Sequence, residues 1–297
     1  MNTRQEQFAK NVDDLIRESQ NVTASTSRSV FDMLQNLRKD IVSRIALVKP
    51  DSFSSGQLNA LLGEIDRNMG EFSHLAGREI GQAQDQQFLL GQKIVDQPLA
   101  QVGMGAMLTG LPRETLVIAQ GYSASLISGI SHQTSLEIDK VLRRDMLGGQ
   151  QPHDILIKIE KLLGGATGRA ETVLFTEVNR MQSMSTQSRL EQMDQRFGKD
   201  EAGDNIIEKE WRHFTIGVPR EGHVDLDGTS VPVNDPFTVE DYTDANGQVV
   251  DSEELMYPRD PNGSLRNTIN CHCRTVPSVK IPERGSVPHY GHLEVST

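Results

Sequence analysis

The chain has 297 residues, which is enough for two domains of ordinary size. Its hydrophobic share of 36% and aromatic share of 5% favour long amphipathic helices over a thick sheet core. The net charge of −11 argues against a general nucleic-acid coat protein, because phosphate binding needs concentrated lysine and arginine, and any DNA contact would have to come from a local patch. Residues 201–297 hold 17 acidic and 8 basic residues, so 17 − 8 = 9 of the excess negative charges lie there.

Hydrophobic periodicity predicts helices over residues 4–19 and 30–49, and a third that starts near Ser54 and continues toward Pro98. The apolar stripe of the third helix has few aromatic partners nearby. We therefore expect residues 1–100 to form an elongated helical arm whose stripe packs against other copies or a ring-shaped partner. The N-terminus is polar and lacks the apolar core of a signal peptide, so none is expected, and no run of 18 apolar residues predicts a membrane span.

Further helices are expected between residues 101 and 205, which we predict to form a helical domain. The pattern predicts helices over 116–130, 135–146, 152–163 and 169–197. Glycine pairs follow the second and third of these helices, and glycine at such positions is a typical C-terminal stop signal.

The pattern changes at Glu208, where alternating side chains predict a strand. Asp227-Gly228 predicts a tight hairpin, Asn246-Gly247 a second turn, and residues 260–263 a third. A last strand is predicted over residues 269–276. We therefore predict a small α+β domain over residues 206–280 and an extended tail over 281–297. The fold class is mainly α, with an elongated helical N-terminal region before the small α+β domain.

Both cysteines of the chain lie in one Cys-x-Cys, Cys271 and Cys273. In an extended segment, residues i and i+2 point to the same side, so the two thiols would face one point. His223, brought in from another segment, would supply a third ligand, and His213 is the best candidate for the fourth. Such a set predicts a zinc site. The alternative is that the cysteines are small buried packing residues.

A catalytic site is the competing interpretation of the same residues. A cysteine with His223 could act as nucleophile and base, or an open zinc site could activate water with help from Asp225 or Asp227. The sequence has no Gly-rich phosphate loop, His-Glu-x-x-His or nucleophile elbow. We therefore predict that the chain is not an enzyme, with no catalytic and no cofactor-binding residues.

An ordered set of motifs over roughly residues 105–278 resembles the phage Mu F-like minor head proteins, also called the phage head morphogenesis family. The motifs are His223-x-x-x-Asp227-Gly228, Asp235-Pro236-Phe237, Tyr257-Pro258-x-Asp260 and Asn270-Cys271-x-Cys273, preceded by a helical signature at Thr176, Glu177 and Arg180. Two departures are His272, where the family often has arginine, and the lack of an acidic residue just before Arg220.

The resemblance implies a structural protein of the virion, located in the capsid interior or at the portal vertex and synthesised in the host cytoplasm. Its implied partners are the portal and capsid proteins, with several copies in each particle. The implied role is head morphogenesis, with a further part in DNA packaging or ejection, and packaged DNA would be contacted through the N-terminal helices. The alternative function is a metal-dependent hydrolase or a toxin-like effector enzyme, since this family's domain is also found joined to toxins.

Overall fold

The chain is mainly α-helical in the computed structural model. The described residues are 3–47, 55–147, 150, 152–214, 220–240, 242–243, 249–250 and 252–279. Four long helices come first: α1 (Thr3–Ala46), α2 (Ser55–Gln101), α3 (Glu114–Leu147) and α4 (Pro152–Phe197). A small region of strands and short helices follows them, which confirms the predicted fold class. The predicted Ser54 cap, the Asn246-Gly247 turn and the tail over 281–297 lie outside the described residues.

The long helices are continuous where the sequence predicted breaks. Gly164 and Gly165 lie inside α4 instead of ending a helix. A glycine in a helix costs about 1 kcal/mol relative to alanine. The buried apolar stripe runs on across the pair from Leu163 to Ala166 and Ala170, and that burial outweighs the cost. The predicted stop at this glycine pair was therefore wrong.

The serine- and threonine-rich stretch of α1 is also helical, although the sequence placed a boundary there. Thr26 donates its hydroxyl proton to the carbonyl of Val22 at 2.9 Å, and the Thr23 hydroxyl bonds the Asn179 side chain at 2.9 Å. Gln87 donates to Thr23 at 3.1 Å. These hydroxyls have partners inside the bundle, so they do not compete with the helix.

The described residues form two compact units. The helical unit contains Gln20–Gln87 and Arg113–Met181, and the terminal unit contains the described residues of Met1–Ser19, Phe88–Pro112 and Gln182–Thr297. None of the helices in the described ranges combines the length and hydropathy that a membrane span requires. The predicted domain divisions at residues 100, 205 and 280 remain predictions.

The helical unit has an aliphatic core. Leu62, Ile65 and Ile80 of the α2 stripe are buried in one cluster with residues from α1, α3 and α4. The expectation that this stripe packs against other copies or a ring-shaped partner was therefore wrong. Its partners come from the same chain, and they are aliphatic side chains rather than the aromatic residues that the sequence lacked.

The strand region (residues 207–279) belongs to the terminal unit. Its elements are β1 (Ile207–Arg212), α5 (Glu221–Asp225), β2 (Ser230–Pro232), β3 (Phe237–Val239), β4 (Tyr242–Thr243), β5 (Val249–Val250), β6 (Glu253–Leu255), α6 (Leu265–Thr268) and β7 (Arg274–Val279). An antiparallel sheet has the order β2-β1-β7, and β3 pairs with β6 and β4 with β5 in two-stranded ladders. Lys209 lies at the centre of β1, opposite Val231 on one side and Pro277 on the other.

Two local predictions about the strand region were wrong. The segment before Asp227-Gly228 is the short helix α5 rather than a strand, although the turn itself is present, with Gly228 at a φ of 78°. Both cysteines precede β7 instead of lying on a strand, because Asn270 has a left-handed φ of 52° and redirects the chain after α6.

Candidate metal centre

His223 reaches the interior from α5 and is 2% exposed. The preceding residue must be small, since a Cβ on Gly222 would lie 2.8 Å from the Val239 side chain. The guanidinium of Arg220, just before α5, donates to the carbonyl of Ile269. This bond joins α5 to the loop that carries the cysteines, and it thereby fixes where His223 lies relative to Cys271.

The cysteine loop is held from its other end by α6. Ser264 caps this short helix and donates its hydroxyl proton to Glu253 of β6 at 2.9 Å, and the Asn267 side chain donates to the same carboxylate at 2.5 Å. The chain then turns at Asn270 and enters the loop. Both thiols end up buried, with Cys271 and Cys273 each 1% exposed.

The two sulfurs and two imidazoles converge. His223 Nδ1 lies 3.5 Å from Cys271 Sγ and 3.6 Å from Cys273 Sγ, and His213 Nδ1 lies 3.5 Å from Cys273 Sγ. The donor atoms of His223, Cys271 and Cys273 all lie within 4.8 Å of one another, so this group could hold a metal ion. His213 stands beside the group on the Cys273 side.

His213 is placed by the Asp227-Gly228 turn. Its backbone N–H donates to the Asp227 carboxylate at 2.8 Å, and the N–H of Gly228 donates to the carbonyl of Trp211 at 2.8 Å. The aspartate that the sequence offered as an assistant to catalysis therefore fixes the backbone next to a candidate ligand. This is turn chemistry, which was the other interpretation of the motif.

Trp211 forms the apolar wall of the centre. Its ring meets the His223 ring edge-on at a centroid distance of 5.3 Å and the Phe237 ring at 5.2 Å, and it is fully buried. Trp211, Phe237 and both cysteines belong to one buried cluster with Leu226, Val239 and Leu255. The wall excludes water from the sulfurs, and a dry surrounding strengthens electrostatic interactions.

Two buried arginines face the cysteine loop. Arg259, which is 0% exposed and has a φ of 68°, donates through Nη1 to the carbonyl of Cys271. Arg274, which is 2% exposed, donates to the carbonyl of Cys273 at 3.2 Å. Burial and the neighbouring Arg259 charge lower the pKa of Arg274. Sequence reasoning missed both arginines, since nothing in the motif pattern shows that an arginine is buried.

The thiols do not ionise alike. A hydrogen bond from Cys273 lowers the pKa of Cys271, helped by His223 and the Arg259 charge and opposed by burial. The same hydrogen bond, together with burial, raises the pKa of Cys273. A metal ion that binds both sulfurs displaces the protons that the thiols carry.

The fold and this group define a class: a long-helix protein whose small C-terminal α+β region carries a buried Cys-x-Cys and histidine centre. The chain is similar to the uncharacterized protein YqbB of Bacillus subtilis (strain 168), with 28% identity over 171 residues. That match covers 57% of this chain and 50% of YqbB, so the chain matches about half the length of that relative. No family model matches the chain, and no solved structure matches it.

Proposed function

We propose that the chain is a structural minor head protein of a tailed phage, similar to the phage Mu F-like proteins, with a strand region stapled by zinc. One observation carries the proposal. Residues from three of the ordered motifs meet around a single buried centre, with His223 and the two cysteines as donors and Phe237 behind Trp211. Motif residues that build one internal core support a structural protein.

Zinc is the metal that suits this donor set. Two thiolates and two imidazole nitrogens form one of the common tetrahedral zinc sites. With Zn–S of about 2.3 Å and Zn–N of about 2.0–2.1 Å, a tetrahedron places sulfur and nitrogen about 3.5–3.6 Å apart. The S···N separations of His223 are 3.5 and 3.6 Å, so little movement is required to close His223, Cys271 and Cys273 on an ion. His213, whose Nδ1 lies 3.5 Å from Cys273 Sγ, would have to move toward the other donors to become the fourth ligand.

The donor set favours a structural zinc over a catalytic one. Structural sites use four protein ligands, whereas catalytic sites keep one position for water or substrate. His213 would fill the fourth position, and the sulfurs and His223 are buried. The competing function, a metal-dependent hydrolase, requires that His213 stay off the metal and that water take its place.

A metal staple also meets a physical need of the strand region. Its aromatic core rests on Trp211 and Phe237, and its sheets are short. The same core contains the side chains of Lys209, Arg259 and Arg274, whose burial has an electrostatic cost. Small regions of this kind commonly depend on a metal for folding free energy.

The partners follow from the family resemblance. They are the portal and capsid proteins, with several copies of the chain in each particle at the capsid interior or portal vertex. The acidic balance of residues 201–297 opposes duplex DNA binding by that part, so a DNA contact would fall to the N-terminal helices.

Purified particles of the phage or prophage that encodes the chain provide the test. The particles are disrupted stepwise, and mass spectrometry follows the chain through the tail, shell and portal fractions. The expected result is recovery with the portal, in several copies per particle and with zinc bound. Absence from particles, or a free monomer with zinc-dependent hydrolytic turnover that His213→Ala does not lower, would support the enzyme instead.

A further inference from the structure

Arg259 touches the candidate metal centre and helix α4 at the same time. One branch of its guanidinium, Nη1, donates to the carbonyl of Cys271, and the other, Nη2, donates to the Ser183 hydroxyl at 2.7 Å. Ser183 is 0% exposed and lies on α4, in the terminal unit. The side chain is thus buried between a candidate metal ligand, Cys271, and a helix that supplies none of the candidate ligands.

Ser183 belongs to a row of α4 residues that hold the strand region. Gln187 donates to the carbonyl of Val233 at 2.8 Å, and Asp194 accepts from the Asn234 side chain at 3.0 Å. Spacings of four and seven residues put these side chains on one face of the helix. The Ser183 contact differs from the other two, because its partner also reaches the cysteine loop.

We propose that Arg259 couples metal binding to the docking of the strand region on α4. The coupling rests on the proposed zinc site. A metal ion fixes the Cys271 sulfur and with it the carbonyl of the same residue. The planar guanidinium holds two acceptors in a rigid fork, so a fixed carbonyl also fixes the branch that points at Ser183.

The coupling acts in both directions. Loss of the metal frees the cysteine loop to move, and Arg259 then keeps either its carbonyl or its hydroxyl partner in good geometry. Losing one of the hydrogen bonds of a buried charged donor is costly, so docking on α4 weakens. By linkage, weaker docking lowers the affinity for the metal by the same factor. Arg259 is therefore a positioning residue for the metal centre.

Three variants of the full chain test the coupling: Ser183→Ala, Arg259→Lys and the control Asn234→Ala. The control removes a bond between the strand region and α4 that does not reach the cysteine loop. Zinc affinity is measured by competition with a chromophoric chelator. We expect a loss of about fivefold for Ser183→Ala, tenfold to about a hundredfold for Arg259→Lys, and less than about twofold for Asn234→Ala.

Hydrogen exchange supplies a second readout that a merely structural role would not move. In the wild-type chain, chelation of zinc should speed exchange in the α4 amides over residues 182–197. In Arg259→Lys the same amides should exchange at one rate with and without zinc. Ser183→Ala keeps the buried charge and its Cys271 contact, so it provides a folded test if Arg259→Lys fails to fold.

The outcomes separate the two proposals. Zinc bound with equal affinity by the wild type, Ser183→Ala and Arg259→Lys overturns the coupling and leaves the metal centre standing. A wild-type chain that binds no zinc overturns the metal centre and the coupling together. Equal losses in Ser183→Ala and Asn234→Ala also overturn the coupling, because docking in general, rather than Arg259, would then set the affinity.

Discussion

The helical unit and the strand region are stabilised by different kinds of interaction. The helical unit buries a continuous aliphatic stripe contributed by all four long helices. The strand region surrounds Trp211 and Phe237 with thiols, imidazoles and buried cationic side chains. Apolar burial is distributed over many residues, whereas a metal centre concentrates stability in a few ligands. The two parts should therefore respond differently to single substitutions.

The largest effect is expected from the loss of one cysteine. Cys271→Ser or Cys273→Ser should abolish zinc binding and lower the free energy of unfolding of the strand region by about 4 kcal/mol or more, as loss of a structural metal does. Trp211, the one tryptophan of the chain, lies against His223 and reports this transition by fluorescence. Far-UV circular dichroism of the long helices should be retained. If both cysteine variants kept the wild-type melting transition of Trp211 fluorescence, the claim that zinc stabilises the strand region would be contradicted.

A cavity in the helical unit should destabilise the long helices and leave the strand region unaffected, which is the opposite of the effect expected from the cysteine variants. Ile80 is 0% exposed in the aliphatic core, so Ile80→Ala should cost about 3 kcal/mol through lost burial and the cavity left behind. The melting transition of the helices should move to a lower temperature, while the zinc content and the Trp211 fluorescence stay as in the wild type. Exposed Ile118→Ala serves as the matched control, with little expected change. Loss of zinc in Ile80→Ala would show that the two parts do not separate as described.

His223 should contribute more to zinc affinity than His213. His223 contacts both sulfurs and is buried, whereas His213 contacts Cys273 and is half-buried. His223→Ala should therefore lose more zinc affinity than His213→Ala, in which water can take the vacated position. Because His213 is a proposed ligand, its loss should reach or exceed the roughly hundredfold at the upper end of effects from residues behind the ligands. His272→Arg is the control and should be mild. The reverse order would give His213 the central role.

The smallest expected effect is the contribution of Lys209 to the pH dependence of the free energy of unfolding. Burial lowers the pKa of Lys209 to about 8, although Glu191, Asp235 and Asp260 favour its charge. An unfolded lysine titrates near 10.4, so between about pH 8 and 10 the unfolded chain binds more protons and stability rises with pH. The free energy of unfolding of the wild type, minus that of Lys209→Met, should therefore increase with pH in this window, by roughly 1 kcal/mol per pH unit at most.

Subtraction of the variant removes the cysteine titrations, which both proteins share. Lys199→Met, at an exposed position of the same unit, provides the matched control and should show a flat difference. A flat difference for Lys209→Met as well would mean that its ammonium group is solvated in the folded chain.

Sequence patterns predicted the helices well and their ends poorly. Periodicity depends on many residues, so the stripe of α4 shows that a helix exists. Whether Gly164 ends it depends on apolar contacts from other helices, which no local pattern contains. The same limit led to the error over the α2 stripe, because the aliphatic partners of Leu62 come from distant parts of the chain.

The candidate ligands could be predicted from the sequence because of their residue types rather than from periodicity. The chain has two cysteines, and the chemistry of thiols and imidazoles narrows the choice of partner, so Cys271, Cys273 and His223 could be grouped before their geometry was known. Arg259 and Ser183 could not be found this way. Arginine is usually exposed and serine is common, so only burial and the left-handed backbone at Arg259 reveal the contact between them.

X-ray absorption at the zinc edge, on the purified full chain, tests the central claim most directly. We expect about one zinc per chain, with two sulfur ligands at about 2.3 Å and two nitrogen ligands at about 2.0–2.1 Å. Removal of the metal by a chelator should abolish the Trp211 melting transition. A metal-free chain with an unchanged transition, or a zinc ion surrounded by oxygen and nitrogen alone, would contradict the account and return the cysteines to buried packing residues.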